Sequence, residues 1–308
     1  MLLKSVSLTS LTSLNTGTSV DKTRIGNCFA KALSSYDQQA LAQQQINRRL
    51  CTMLQQSLSK CGQQLFDSAQ VFDSAQVFDS AQVFDSVQVF DLVMEIGCGS
   101  GDLTRLLNRQ YSVRSWWLND LNSAALAKTK VLLQQKEMAS VHLLAADAEQ
   151  LDRTLALAQQ FDLWVSASTV QWFQQPQRFI QLAAQGLKQH GVLLFSTFLP
   201  DNLSEIKQLT NIGLTYPTQQ QWLQWLQPHF ELLALDSQPI RLYFEQPSAV
   251  LQHLKATGVT ATHTHKSGKQ LWTKGKLAEF YQRYRQQFSL GEQVYLTYSP
   301  LLILAKRK

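Results

Sequence analysis

The sequence predicts an α/β fold: a doubly wound, mostly parallel seven-stranded sheet with a small helical insertion before its last strand. Three observations carry this. From residue 89 onward, apolar runs rich in β-branched and aromatic residues alternate with segments of helical periodicity. A glycine-rich turn, GCGSG at 97–101, stands where the first such run ends and the first helical pattern begins. The spacing between runs suits right-handed crossovers rather than hairpins.

Taken in order, residues 1–21 carry one Lys among apolar residues that Ser and Thr interrupt, so they read as a disordered leader and not as a secretory signal. Residues 22–60 predict two helices, with Ile25, Phe29, Leu33 and Tyr36, then Ile46, Leu50, Leu54 and Leu58, at helical spacing. A literal repeat follows: FDSAQV at 66–71, 72–77 and 78–83, then FDSVQV at 84–89. Six residues match neither the helical period nor any solenoid unit, so 61–88 read as a linker lengthened by tandem duplication. The strands expected next are 89–96, 112–118, 141–146, 161–168 and 191–198, with helices near 101–109, 122–138, 150–159 and 176–189. Beyond Phe198 come helices at 201–210 and 218–227, a strand over 231–244, a helix near 247–256, the polar loop THTHKSGKQ, a helix over 276–287 and a final strand over 294–305. The chain between the last two strands exceeds a plain connection, so the segment within about 199–293 reads as an insertion that shapes a substrate pocket.

The 308 residues suffice for one large domain. Charged residues make up only 16% because 40 Gln take polar positions, scattered among apolar residues as in a soluble folded protein. No apolar run reaches the 18 residues of a membrane span. Cys28, Cys51, Cys61 and Cys98 form no CxxC pair and no dense disulfide pattern, which favours a reduced, cytoplasmic compartment. The net charge of +6 is uneven: residues 241–308 hold 11 Lys and Arg against 3 Asp and Glu. A basic quarter on a near-neutral body points to an acidic partner or to a solvated basic surface. Neither nucleic acid nor membrane is expected as a partner.

The chemistry gathers at strand ends. Residues 95–102 read EIGCGSGD, and Gly97, Gly99 and Gly101 give GxGxG where a dinucleotide fingerprint would be GxGxxG. With Glu95 two positions ahead, this resembles motif I of class I S-adenosylmethionine (SAM) methyltransferases. On that reading the turn cradles the methionine part and Glu95 reaches its ammonium; glycines in a merely tight turn are the alternative. Asp120 closes the second strand, where a carboxylate accepts from ribose hydroxyls, and Asp147 closes the third, where one accepts from the adenine amino group; Leu121 and Ala148 follow them. A single Asp after a strand is also a common helix N-cap. The fourth strand ends in SASTVQWF: Ser166 joins the cofactor-binding set, and Gln171 and Trp172 face the transferred methyl and the substrate, unless Trp172 is a core aromatic. No Ser-His-Asp or Cys-His arrangement is evident, and His263 and His265, two apart in a polar loop, are not read as a metal site.

From about residue 22 to 308 the chain resembles the malonyl-acyl carrier protein O-methyltransferase family. The resemblance lies in RIGNCFAKALSSYDQQALAQQQINRRL, EIGCGSG, FDLWVSASTVQWF, GVLLFSTFLPDNLSEIKQL, LKATGVTATHTHKSG and LTYSPLLILAKR. It implies a SAM-dependent methyltransferase domain over 89–308, a lid from residues 22–60 to which Tyr36 contributes, and SAM as methyl donor with no metal. It also implies methylation of a malonyl thioester's free carboxylate, on acyl carrier protein or coenzyme A, to prime pimelate synthesis for biotin. Methyltransferases acting on another small carboxylic acid or a quinone, and non-catalytic SAM-binding proteins, share the nucleotide residues. Deleting residues 72–83, two copies of the repeat, should change melting temperature and SAM affinity little, because loop length enters stability only logarithmically. Loss of folding in that variant would place the repeat inside the core.

Overall fold

The computed structural model describes residues 21–22, 26, 39–67, 89–133, 140–154, 160–258 and 273–308. The leader, Tyr36, most of the hexapeptide repeat and the loop carrying His263 and His265 lie outside them. The first long helix, α1 (Leu41–Asp67), runs past residue 60 and takes in Phe66 and Asp67 of the first repeat copy. Ala42, Ile46, Leu50, Met53 and Leu54 form its buried stripe, which packs against Leu103 and Leu107 of the helix Asp102–Gln110.

Seven strands form the main sheet: β1 (Val89–Ile96), β2 (Ser112–Asp120), β3 (Ser140–Ala145), β4 (Phe161–Ser166), β5 (Leu187–Phe198), β6 (Phe230–Asp236) and β10 (Pro300–Arg307). Their order is β3-β2-β1-β4-β5-β10-β6. β1 through β5 pair in parallel, and β10 lies antiparallel between β5 and β6. The connections are α2 (Asp102–Gln110), α3 (Ser123–Leu133), a short turn of helix at Ala148–Gln150 continuing as α4 (Leu151–Thr154), and α5 (Gln177–Gly186). The central strands bury both faces, so alternate residues serve two cores. Val93, Leu163 and Leu194 face the core shared with α1 and α2, while Met94, Trp164 and Phe195 face an aromatic core that includes Phe179 and Trp222.

After β5 come α6 (Ser204–Thr210), α7 (Gln219–Leu226) and β6. Then follow β7 (Ile240–Phe244), α8 (Pro247–Ala256), α9 (Lys274–Gln287), β8 (Ser289–Leu290) and β9 (Gln293–Tyr298). The insertion is thus not purely helical: β7, β9 and β8 form a second, antiparallel sheet. Two strands expected as single units are each divided between the sheets. The stretch 231–244 breaks at Ser237–Pro239, and 294–305 breaks at Ser299, with Pro300 opening β10. Proline has no N–H for a ladder, so each break falls where the chain leaves one sheet for the other. The helix expected over 176–189 ends at Gly186, and the following residues already belong to β5.

Gly186 sits against the buried Trp164: a Cβ there would come 2.3 Å from the indole Cζ3. Gly186→Ala should therefore lower stability by about 1–3 kcal/mol through overpacking. The urea midpoint should fall with an unchanged slope; an unaltered midpoint would show that the indole moves aside freely.

Candidate functional site

β1 pairs with β2 on one side and with β4 on the other, so the chain after β1 turns where the strand order reverses. Open α/β sheets form their ligand crevices at this point. The turn uses three left-handed glycines, with φ of 67° at Gly97, 54° at Gly99 and 83° at Gly101. A Cβ on Gly97 would lie 2.3 Å from the Thr169 side chain, and one on Gly101 would meet Thr129 at 2.8 Å. At Gly99 a Cβ would meet nothing within 4 Å, because that residue faces the open cleft. The cleft has a cavity volume of about 160 Å³ and is lined from the ends of β1, β2, β3 and β4 and from α1.

Side chains tie these strand ends together. The Gly99 N–H donates to Asp120 Oδ2 at 2.9 Å, the Asn122 N–H donates to Oδ1 at 2.8 Å, and the Thr129 hydroxyl donates to the Gly99 carbonyl at 3.2 Å. Asn119 donates its amide N–H groups to the carbonyls of Leu144 and Ala146, joining β2 to the end of β3. Glu95 is 1% exposed and accepts a hydrogen bond from Thr104 on α2. Burial pushes its carboxyl up to about 8; the Thr104 bond opposes this, and Asp120 and Asp102 add to it. Burial also raises the carboxyl of Asp120, against the pull of its backbone donors. Two buried amide oxygens from α1, Gln43 Oε1 and Asn47 Oδ1, have no hydrogen-bond partner although their residues line the cleft. A raised carboxyl, unpaired acceptors and a turn bare of Cβ atoms fit a cationic ligand with an amino-acid end, as SAM has.

The expected residues are mostly brought together. Glu95, Gly97, Gly99, Asp120, Leu121, Asp147, Ala148 and Trp172 line the cleft, and Gly101 forms its turn without lining it. Ser166 does not reach it: the side chain is fully buried, and its hydroxyl donates to the Ile96 carbonyl at 2.9 Å, bracing β4 on β1. Ala167, Ser168 and Thr169 hold the lining position instead. Sequence reading missed Lys22, whose ammonium bridges both Asp147 oxygens, at 2.6 and 2.7 Å, and the buried Glu149. Glu149 in turn accepts from the N–H groups of Gln174 and Gln175. Only a motif linking the N-terminal segment to AADAEQL could have signalled this bridge.

A smaller cavity of about 20 Å³ adjoins the cleft, and Gln43, Ser168 and Trp172 line both. Gln171 faces this smaller space; its amide N–H donates to the Ser168 carbonyl, while its Oε1 is buried without a partner. The opposite wall comes from the insertion and the chain leading to it: Asn202, Tyr216, Thr257 and Tyr298. Tyr298 is positioned by the buried His253, at 2.9 Å, whose imidazole burial lowers to about 4 and so keeps neutral. Among the described residues no group of three or more His, Cys, Asp or Glu side chains could hold a metal, and no helix is long and apolar enough to cross a membrane.

Below about pH 8 the free Glu95 carboxyl keeps its proton, and a bound ammonium favours the carboxylate instead. SAM binding at pH 7 should therefore release close to one proton, and affinity should rise with pH until about 8 and then level. Calorimetry in buffers of different ionisation enthalpy reads the release, which Glu95→Gln should abolish. Buffer-independent heats in the parent protein would show that Glu95 does not meet the ligand.

A family described as a methyltransferase domain matches residues 93–191. The solved YcgJ protein from Bacillus subtilis superposes with a TM-score of 0.50 and 14% identity, over 72% of this chain and 94% of that one, a likeness of fold. The malonyl-acyl carrier protein O-methyltransferase of Haemophilus ducreyi is 39% identical over 93% of this chain and 97% of its own length. That of Haemophilus influenzae is 40% identical over 94% and 96%, and that of Porphyromonas gingivalis is 36% identical over 93% and 96%. At this identity over nearly full length, the chain belongs to the malonyl-acyl carrier protein O-methyltransferase family.

Proposed function

We propose that this protein transfers a methyl group from SAM to the free carboxylate of a malonyl thioester on acyl carrier protein, the step that primes pimelate synthesis for biotin. The observation that carries the reading is near-full-length similarity to relatives named for this reaction. Glu95 and the Gly97–Gly101 turn hold the methionine end, Asp120 takes the ribose hydroxyls, and Asp147 with Ala148 faces the adenine once Lys22 yields the carboxylate. SAM supplies a methyl on a positively charged sulfur, and transfer forms an O–C bond as the C–S bond breaks, cancelling the sulfonium and carboxylate charges. The acceptor is ionised at neutral pH, so the chain needs to abstract no proton; its residues align the acceptor and exclude water. The buried, unpaired Cys51 and Cys98 suit the reducing cytoplasm we assign to the protein.

The acidic carrier is met by α9, whose exposed Lys274, Lys276, Arg283 and Arg285 face solvent beside a single acid, Glu279. Incubation with SAM and malonyl-acyl carrier protein should raise the carrier's mass by one methyl replacing a proton. Raising salt from about 50 to about 500 mM should slow transfer to the carrier more steeply than transfer to malonyl-coenzyme A, as the Debye length shrinks from about 14 to about 4 Å. The double variant Lys274→Gln, Lys276→Gln should raise KM for the carrier and spare SAM affinity. No mass gain with a malonyl thioester, and transfer to a free acid instead, would reassign the acceptor; equal salt slopes would remove α9 from docking.

A further inference from the structure

Resting on the malonyl reading, we propose that the smaller cavity, with room for one small polar group, receives the malonyl carboxylate and that the Ser168 and Tyr216 hydroxyls hold it as neutral donors. Ser168 stands where the two cavities meet and adopts a left-handed backbone, φ 50°, that a residue with a Cβ rarely takes. That conformation is held from both sides: its N–H donates to Ser196 Oγ at 3.0 Å, and its carbonyl accepts the Gln171 amide. The surroundings thus sustain a strained residue whose hydroxyl is buried and has no partner. Tyr216 lies on the facing wall. Its oxygen accepts from Asn202 Nδ2 at 3.0 Å, which leaves its own proton to donate, and burial raises the phenol to about 12, so that proton stays in place. Asn202 is fixed in turn, accepting the Ser299 N–H at 3.1 Å where the chain leaves the insertion.

No charged side chain among the described residues lines this cavity. A carboxylate brought there without a cation is costly, and two neutral hydrogen bonds offset only part of the cost. The sulfonium in the adjoining cleft supplies the missing charge, so the acceptor binds well only after SAM. The same arrangement leaves an oxygen lone pair uncommitted to a fixed cation and free to attack. Once methylated, the head is neutral and loses both its charge-assisted bonds and its counter-ion, which favours release.

The test is steady-state kinetics with malonyl-acyl carrier protein, with SAM affinity measured separately by calorimetry, for Tyr216→Phe and Ser168→Ala. We expect each variant to lose about tenfold or more in kcat/KM for the malonyl substrate. Tyr216→Phe should bind SAM within about twofold of the parent, which also reports that it folds, and Ser168→Ala within about threefold. The parent should retain a malonyl analogue more tightly with SAM present than with neutral S-adenosylhomocysteine. Both variants within about twofold of the parent in kcat/KM would overturn the seat while leaving the methyltransferase reading intact. A parent protein that binds SAM and methylates no malonyl thioester would overturn the functional reading and the seat together.

Discussion

The hydrogen bond from the Gly99 N–H to Asp120 Oδ2 is the contact on which the rest of the site depends. It bends the chain leaving β1 towards the end of β2, and it does so only because Gly97, Gly99 and Gly101 occupy left-handed conformations in a span of five residues. The same bend starts α2 at Asp102, which brings Thr104 under the Glu95 carboxyl. It also holds Asp120 among backbone donors, so one carboxylate both builds the turn and faces the cleft. The strand ends on either side then lie within reach of one ligand, because Asn119 and Ser166 brace β3 and β4 to this centre.

Charge is distributed to suit a cation entering the cleft. Burial, with Asp120 and Asp102 nearby, raises the Glu95 carboxyl, burial raises Asp120 against its backbone donors, and the nearby Lys22 bonds Asp147 and Glu149 and not this trio. A buried carboxyl that keeps its proton takes up its charge readily only beside a cation, so a positive ligand binds together with the ionised form of Glu95. The adjoining cavity is the electrical opposite: polar, uncharged along its described lining, and walled by rings such as Phe198 and Tyr298, 6.1 Å apart.

Much of this was legible in the chain. β1 matched its expected bounds, the glycine turn and Asp120 lay where strand-end logic required, and α8 began at Pro247 as patterned. What failed shares a physical cause. Periodicity reports that 231–244 and 294–305 are extended, but it does not say which sheet an extended segment joins; that is decided by Pro239 and Pro300 removing ladder donors. Ser166 and Ser168 illustrate the same limit at the site. They share the phrase SAS, yet β4 ends at Ser166, whose hydroxyl turns onto the Ile96 carbonyl, while the left-handed Ser168 lies beyond the strand and lines both cavities. Lys22 and Tyr216 were invisible for another reason: their partners are 125 positions away and 14 positions away across a chain reversal, and no local pattern encodes such meetings.

The insertion leaves the main sheet after Asp236 and returns at Pro300, and Asp236 pairs with Leu302, so the two crossings are neighbours on adjacent strands. Everything between them hangs from one doorway. A segment attached this way can be rebuilt in length, sequence or shape while the hydrogen-bond ladder beneath it stays unbroken. Thr257 and Tyr298 sit on this appendage while Ser168, Asn202 and Tyr216 do not, so redecorating it would reshape one side of the smaller cavity and leave the glycine turn beneath untouched.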